Sequence, residues 1–398
     1  MSVQSGLDQL LASGFKNLLN QRVGLVAHPA SVDGSLRHIL PLMHQAGVNL
    51  TKLYGPEHGV FGDAQDMEVV EEAADATDPL TKAQVYSLYG HEESSLRPTV
   101  QMLSDLDVIV IDLQDVGARY YTFAATMVFV MQTAAEAGVR VMVLDRPNPL
   151  GGRAQDIEGP PVGQDYRSFV GAFDLPMRHG LTMGEYALLM KSELKLDVDL
   201  EVIEMTGWTR SMDFDATGLP WVLPSPNMPT VDTAWIYPGM CIIEGTQMSE
   251  GRGTTRPFEL IGAPYIDPRA WVEKLSTHHL PGITLRPTYF TPTFQKHAGA
   301  RCGGLQIHVT DRPAVRSVHL AVAFLETVLA LAPDEFKWRT ERYEYITDRL
   351  AIDLLFGSTG PKEALESGAT AKDIVAGFAE HEKAFAERRA PHLLYPED

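Results

Sequence analysis

The chain has 398 residues, 44% hydrophobic and 21% charged, the composition of a folded globular protein, with no polar low-complexity tract. Its length exceeds one ordinary core and predicts about two domains. A formal charge of -19, from 52 acidic against 33 basic residues, repels phosphate backbones and anionic lipid surfaces and argues against nucleic acid as a partner.

The first 21 residues lack a basic segment followed by an apolar one, so they do not read as a secretory signal. The expected compartment is the cytoplasm, or the periplasm or exterior if a signal has been removed. From residue 22 to about 205, short β-rich runs such as RVGLVAHP, LTKLYGP, DVIVIDLQD and RVMVLDRP alternate with helical patterns. Val108 to Ile111 and Val141 to Leu144 are apolar on both faces, as strands buried between two helical layers must be. This predicts an α/β fold with a doubly wound, mainly parallel sheet. The stretch FAATMVFVMQTAAEAG is broken by Thr and Gln and too short to span a bilayer, so no membrane insertion is expected. Its apolar Phe123, Met127, Val130 and Ala134 have helical spacing and read as sheet-facing core.

Residues 206 to 260 are rich in Pro and Gly and show little periodicity over most of their length, a pattern often found in functional segments. After about residue 262 the pattern changes to DPRAWVEKLSTHHL, ITLRPTYFTPTF, CGGLQIHVT and a helix-rich tail. A smaller α+β domain is expected there, giving divisions of 1–260 and 261–398. Cys241 and Cys302 are too few for a disulfide framework, lack zinc-site spacing, and read as reduced, buried thiols.

The loop after the first strand, AHPASVDGS, has no G-x-G-x-x-G turn, and the chain has no P-loop, nucleophile elbow or H-E-x-x-H. No cofactor and no resident metal are expected. Polar groups concentrate instead at strand ends, where ligands of such sheets bind: Glu57 and His58 in GPEHGVFGD; Asp112, Gln114, Asp115, Arg119, Tyr120 and Tyr121 in DLQDVGARYY; Asp145, Arg146 and Asn148 in DRPNPLGG. The irregular section adds Ser225, Asn227, Glu244, Ser249, Glu250 and Arg252. Carboxylates among Asn, Arg and Tyr suit glycosidic cleavage, where an acid protonates the leaving oxygen and a second group stabilises an oxocarbenium-like centre. Glu57 is the favoured acid, because Tyr54, Pro56, Val60 and Phe61 are placed to exclude water and raise its pKa. If the pair lies on extended chain, Glu57 and His58 point to opposite faces. Asp112 and Asp145 are equally suited to capping or loop bonding, and Arg119 to pairing with Asp115. The glycines flanking Arg252 would let the backbone approach a ligand.

Several of these pieces, with VYSLYG, RHGLTMGEYA, LPSPNMPT and YPGMCIIEGTQMSEGRGTTRPFELIGAP, together resemble the bacterial exo-β-N-acetylmuramidase NamZ family, formerly a domain of unknown function. The resemblance spans roughly residues 22 to 265 and extends more weakly to CGGLQIHVTD. It implies a Rossmann-like domain and a smaller C-terminal one, with the site between them. It also implies a glycoside hydrolase that removes terminal N-acetylmuramic acid from peptidoglycan fragments, with Glu57 as the candidate catalytic acid. On this basis Glu57 is the general acid/base, and His58 is expected to tune or orient it. Asp115, Glu244 and Glu250 compete for the second carboxylate, and Tyr120, Tyr121, Asn148 and Asn227 are expected to hold the sugar. Arg119, Arg146 or Arg252 would meet the lactyl carboxylate. Two other readings are a phosphoesterase with magnesium on Asp112, Asp115 and Asp145, and a non-catalytic module for cell-wall sugars.

Overall fold

The computed structural model describes residues 2–65, 67–70 and 76–398. Six strands, β1 (Val23–Ala27), β2 (Leu50–Gly55), β3 (Gln84–Ser87), β4 (Val108–Asp112), β5 (Arg140–Leu144) and β6 (Leu200–Ile203), form one sheet in the order β3-β2-β1-β4-β5-β6. Every pairing is parallel. β1 and β4 are buried along their whole length, as their two-faced apolar runs require. The order reverses between β1 and β4, so the loops leaving these strands diverge and a crevice opens at their carboxyl ends.

The helix Phe123–Ala137 covers one face, with Phe123, Met127, Val130 and Ala134 all buried. A second, antiparallel sheet, β7 (Leu260–Ala263), β9 (Cys302–Val309) and β8 (Ile283–Phe290), carries the helices Pro268–Leu275 and Ser317–Leu331. One continuous apolar core includes Ile111 and Met127 beside the first sheet and Leu305 and Phe324 beside the second. Packed on the helix Ser317–Leu331 runs the helix Val231–Met240, where the sequence offers no periodicity. Nine of its ten residues are buried, and a helix covered on all sides has no amphipathic stripe to read. Both cysteines are buried, and no disulfide occurs among the described residues. No helix among the described residues is long and apolar enough to cross a membrane.

Two strand-end aspartates hold this frame together. Asp112 accepts Arg146 Nε at 2.5 Å and Nη2 at 2.9 Å, joining the ends of β4 and β5. Asp145 accepts from Thr182 Oγ1, the Gly184 amide and the Tyr395 hydroxyl at 2.6–2.8 Å, tying β5 to the helix Met183–Glu193 and to the C-terminal segment. Burial pushes the Asp145 carboxyl up to about 7, against these hydrogen bonds. A folded-state pKa above the unfolded value of about 3.9 contributes stability that is present at low pH and lost as pH rises through 7. Asp145→Asn removes that titration. Urea unfolding should therefore show the variant gaining on the wild type between pH 4 and pH 8, whereas a constant difference would contradict a buried titration.

Candidate active site

β2 ends at Gly55 and the chain turns at once. The Gly59 amide donates to the Pro56 carbonyl at 2.9 Å, and His58, third in that turn, has φ +70. Left-handed backbone at a non-glycine residue costs on the order of 1 kcal/mol and persists only where surroundings impose it. Here the His58 ring is anchored, with Nδ1 against the Ala64 carbonyl at 2.9 Å. A carbonyl only accepts, so Nδ1 carries the proton in that contact. The turn also overturns the extended-chain expectation: Glu57 and His58 line the same cavity.

The Glu57 side chain is anchored by one oxygen. Oε2 accepts from Thr122 Oγ1 at 2.6 Å, and Thr122 immediately precedes the helix Phe123–Ala137. Oε1 receives no hydrogen bond from any described residue, yet it is not among the fully buried unpartnered atoms, so it keeps access to the cavity. The shield around it differs from the one expected. Phe61 is 65% exposed, and Tyr54 lies under the turn, donating to the Met102 carbonyl and stacking on Tyr86. Tyr121, Phe123, Val170 and Tyr343 line the cavity in their place. Thr122→Val removes the anchor at nearly constant volume. It should lower kcat about tenfold with little change in KM, which steady-state kinetics would check.

The cavity has about 490 Å³ of unfilled space, part of it open to solvent. Tyr121 packs edge-on against Phe123 and Tyr237, at 4.9 Å and 6.0 Å between ring centroids. Its buried hydroxyl has no partner within hydrogen-bonding geometry, although Ser225 is near enough to offset slightly the upward push of burial on its pKa. The Tyr120 hydroxyl is spent on the Pro238 carbonyl, so Tyr120 offers the cavity mainly its ring. Asn227 donates to Gln65 Oε1 at 3.2 Å.

Part of the lining is an ionic cluster. Arg252 Nη2 donates to Glu244 Oε1 at 2.7 Å, and the Tyr343 hydroxyl to Glu244 Oε2 at 2.7 Å. Burial pushes the Glu244 carboxyl up, but Arg252, with help from Tyr343 and Lys296, outweighs it and holds the pKa below the usual value. Glu250 lies behind this lining, on Lys296 Nζ at 2.9 Å and Arg252 Nε at 3.5 Å.

Several sequence expectations are corrected. Asp115 and Glu250 do not line the cavity that holds Glu57. Asp115 Oδ2 instead accepts the Gly117 amide at 2.6 Å and faces His179 at 3.4 Å, shaping its own loop. Arg119 pairs with no carboxylate among the described residues; it clamps the carbonyls of Pro160, Leu175 and Leu355. Asn148 is used by the Leu181 carbonyl and the Leu150 amide. Gln114 and Arg146 line a separate crevice, beside Trp221. Ser249 is a turn former whose Oγ accepts the Gly251 amide. Gly251 and Gly253, at φ +83 and +78, are required by the protein itself: a Cβ on either would stand 2.6 Å from the carbonyl of Leu260 or Phe294. Sequence reasoning missed Thr122, Tyr237, Cys241, Tyr343 and Glu344, all of which line the cavity. The last two come from the segment RTERYEYITD, where nothing in composition or period marks a site.

The family model described as exo-β-N-acetylmuramidase NamZ, N-terminal, matches residues 23–232, and its C-terminal counterpart matches residues 235–395. The chain belongs to the NamZ family. It is 43% identical over 394 residues to the peptidoglycan β-N-acetylmuramidase NamZ of Bacillus subtilis (strain 168), covering 99% of this chain and 91% of that protein. Two crystal structures of DUF1343 family proteins from Bacteroides fragilis NCTC 9343 are also similar. One has a TM-score of 0.87 at 35% identity over 99% of both chains, the other 0.76 at 26% over 100% of both. Both solved structures therefore share the overall fold of this chain.

Proposed function

We propose that this NamZ family member is an exo-acting β-N-acetylmuramidase, which hydrolyses terminal non-reducing N-acetylmuramic acid from peptidoglycan fragments. Full-length similarity to a peptidoglycan β-N-acetylmuramidase supports the reaction class. The observation that carries the residue assignment is the Glu57 carboxyl, fixed through Oε2 by Thr122 while Oε1 opens onto the cavity. Glu57 gives its proton to the glycosidic oxygen as the bond to the muramyl anomeric carbon breaks, and then, as the carboxylate, activates water. His58 holds the turn that aims it.

Tyr121, Ser225 and Asn227 bind the sugar in this reading. In this reading Glu244, which lines the same cavity and whose pKa Arg252 and Tyr343 hold below the usual value, stabilises positive charge at the anomeric centre. Arg252 meets the lactyl carboxylate that distinguishes N-acetylmuramic acid from N-acetylglucosamine.

The phosphoesterase reading lacks a ligand set. Asp112 is engaged by Arg146, Asp145 by Thr182, Gly184 and Tyr395, and Asp115 by Gly117. No group of three His, Cys, Asp or Glu that could hold a metal occurs among the described residues.

Digestion of a defined muropeptide glycan with muramic acid at its non-reducing end, followed by mass spectrometry, tests the reading. Free N-acetylmuramic acid and a glycan one sugar shorter are expected. Internal cleavage, or binding without any product, would contradict it; the latter is the signature of the sugar-binding module.

A further inference from the structure

At the carboxyl ends of β1 and β4, where the strand order reverses, lies a second, shallow crevice with about 360 Å³ of unfilled space, part of it open to solvent. We propose that it is a second amino-sugar site, which holds an N-acetylhexosamine of the same glycan by its acetamido group. The proposal rests on the muramidase reading, in which each sugar of the substrate polymer carries such a group.

The floor is made by Gln114 and Arg146, each about 95% buried. Gln114 Nε2 donates to the carbonyls of Asp115 at 2.8 Å and Pro147 at 2.9 Å. Two acceptors on one side fix the amide orientation and leave Oε1 with no donor among the described residues. Arg146 spends Nε and Nη2 on Asp112 and the Val32 carbonyl, which leaves Nη1 without a described partner. Neither Oε1 nor Nη1 is among the fully buried unpartnered atoms, so both keep access to the crevice their side chains line.

The floor is electrically balanced. Arg146 is paired with Asp112, and Asp33, on the crevice wall, with Arg37. A small ion gains little there, whereas a neutral secondary amide supplies the missing complement: its carbonyl accepts from Arg146 Nη1 and its N–H donates to Gln114 Oε1. The roof is apolar, built from Phe214 and the run Leu219–Val222, and takes the acetyl methyl. The Trp221 indole, set by its Nε1 bond to the Met228 carbonyl at 3.2 Å and its edge contact with Phe214 at 4.9 Å, offers a surface for a sugar face.

One strap serves both sites. His28, fully buried, bonds the Pro224 carbonyl through Nδ1 at 3.1 Å and accepts the Gln114 amide on Nε2 at 2.9 Å. Burial drives its pKa down to about 3, so it stays neutral and the pin does not titrate at working pH. On one side of this pin Leu219 to Val222 line the crevice, and on the other Ser225, Asn227 and Met228 line the cavity with Glu57.

The test compares kcat/KM on a muramyl-terminated tetrasaccharide with kcat/KM on para-nitrophenyl β-N-acetylmuramide, in the wild type, Trp221→Ala and the crevice-filling Leu219→Trp. The ratio of tetrasaccharide to chromogenic substrate should fall at least about fivefold in both variants. Saturation-transfer NMR should detect N,N′-diacetylchitobiose on the wild type and lose it in Leu219→Trp. An unchanged ratio in both variants, or chitobiose binding that persists undiminished in Leu219→Trp, overturns the proposal. Wild-type cleavage of the chromogenic muramide is read separately, so failure of the second site and failure of the muramidase reading are told apart.

Discussion

Glu57→Gln is expected to lower kcat on a muramyl substrate by about 100- to 10,000-fold, the usual contribution of a general acid–base group. The amide has the same shape and its oxygen still accepts from Thr122 Oγ1, which donates at 2.6 Å in the wild type. The fold should therefore survive, with Tm within about 2 °C, and substrate affinity should be largely retained. What is lost is the proton for the leaving oxygen. Steady-state kinetics with a thermal melt of the same preparation checks both halves. Activity near wild type would remove Glu57 from the chemistry, and loss of the fold would give it a structural role instead.

Arg252→Ala should damage stability and specificity together. Glu244 and Glu250, each under 5% exposed, face this one guanidinium. Glu250 retains Lys296, but Glu244 is left, among the described residues, with the Tyr343 hydroxyl as its side-chain donor. Removing one partner of a buried ion pair costs about 3–5 kcal/mol.

The cost should depend on pH. In the wild type the Glu244 pKa lies below its usual value, so the stabilisation is complete above the unfolded pKa of about 4.3 and disappears as pH falls through the folded value. Without Arg252 burial dominates and raises the carboxyl. The penalty should be largest near pH 8 and shrink towards pH 4, as denaturant unfolding at both would reveal. Kinetically, the preference for N-acetylmuramide over N-acetylglucosaminide should collapse. If discrimination persists, Arg252 holds the wall without reading the lactyl group.

The parallel sheet was legible because its strands are short apolar runs followed by polar strand-end loops, and because helices such as Phe123–Ala137 keep a period. The helix Val231–Met240 was not, since burial on every side erases that period. At the site, Glu57 could be singled out from its place at a strand end. The contribution of Tyr343 and Glu344 depends on a C-terminal segment folding back nearly 290 residues later, which no local pattern reports.

Residue type alone also misassigned chemistry. Arg119, Asn148 and Asp115 look like ligand groups in DLQDVGARYY and DRPNPLGG, but their polar atoms go to backbone groups of their own loops and neighbours. Long irregular connections need internal donors and acceptors for their buried backbone, and strand-end polar residues supply them. Asp115 Oδ1 and Arg119 Nε are also unpartnered but fully buried, whereas Gln114 and Arg146 differ in that the unpartnered atom of each keeps access to a crevice.

The most direct test of the central claim is hydrolysis of para-nitrophenyl β-N-acetylmuramide beside its N-acetylglucosaminide counterpart, by the wild type and by Glu57→Gln. The account predicts release of nitrophenol from the muramide alone, by the wild type alone. Equal cleavage by the folded variant, or a preference for the glucosaminide, would contradict it.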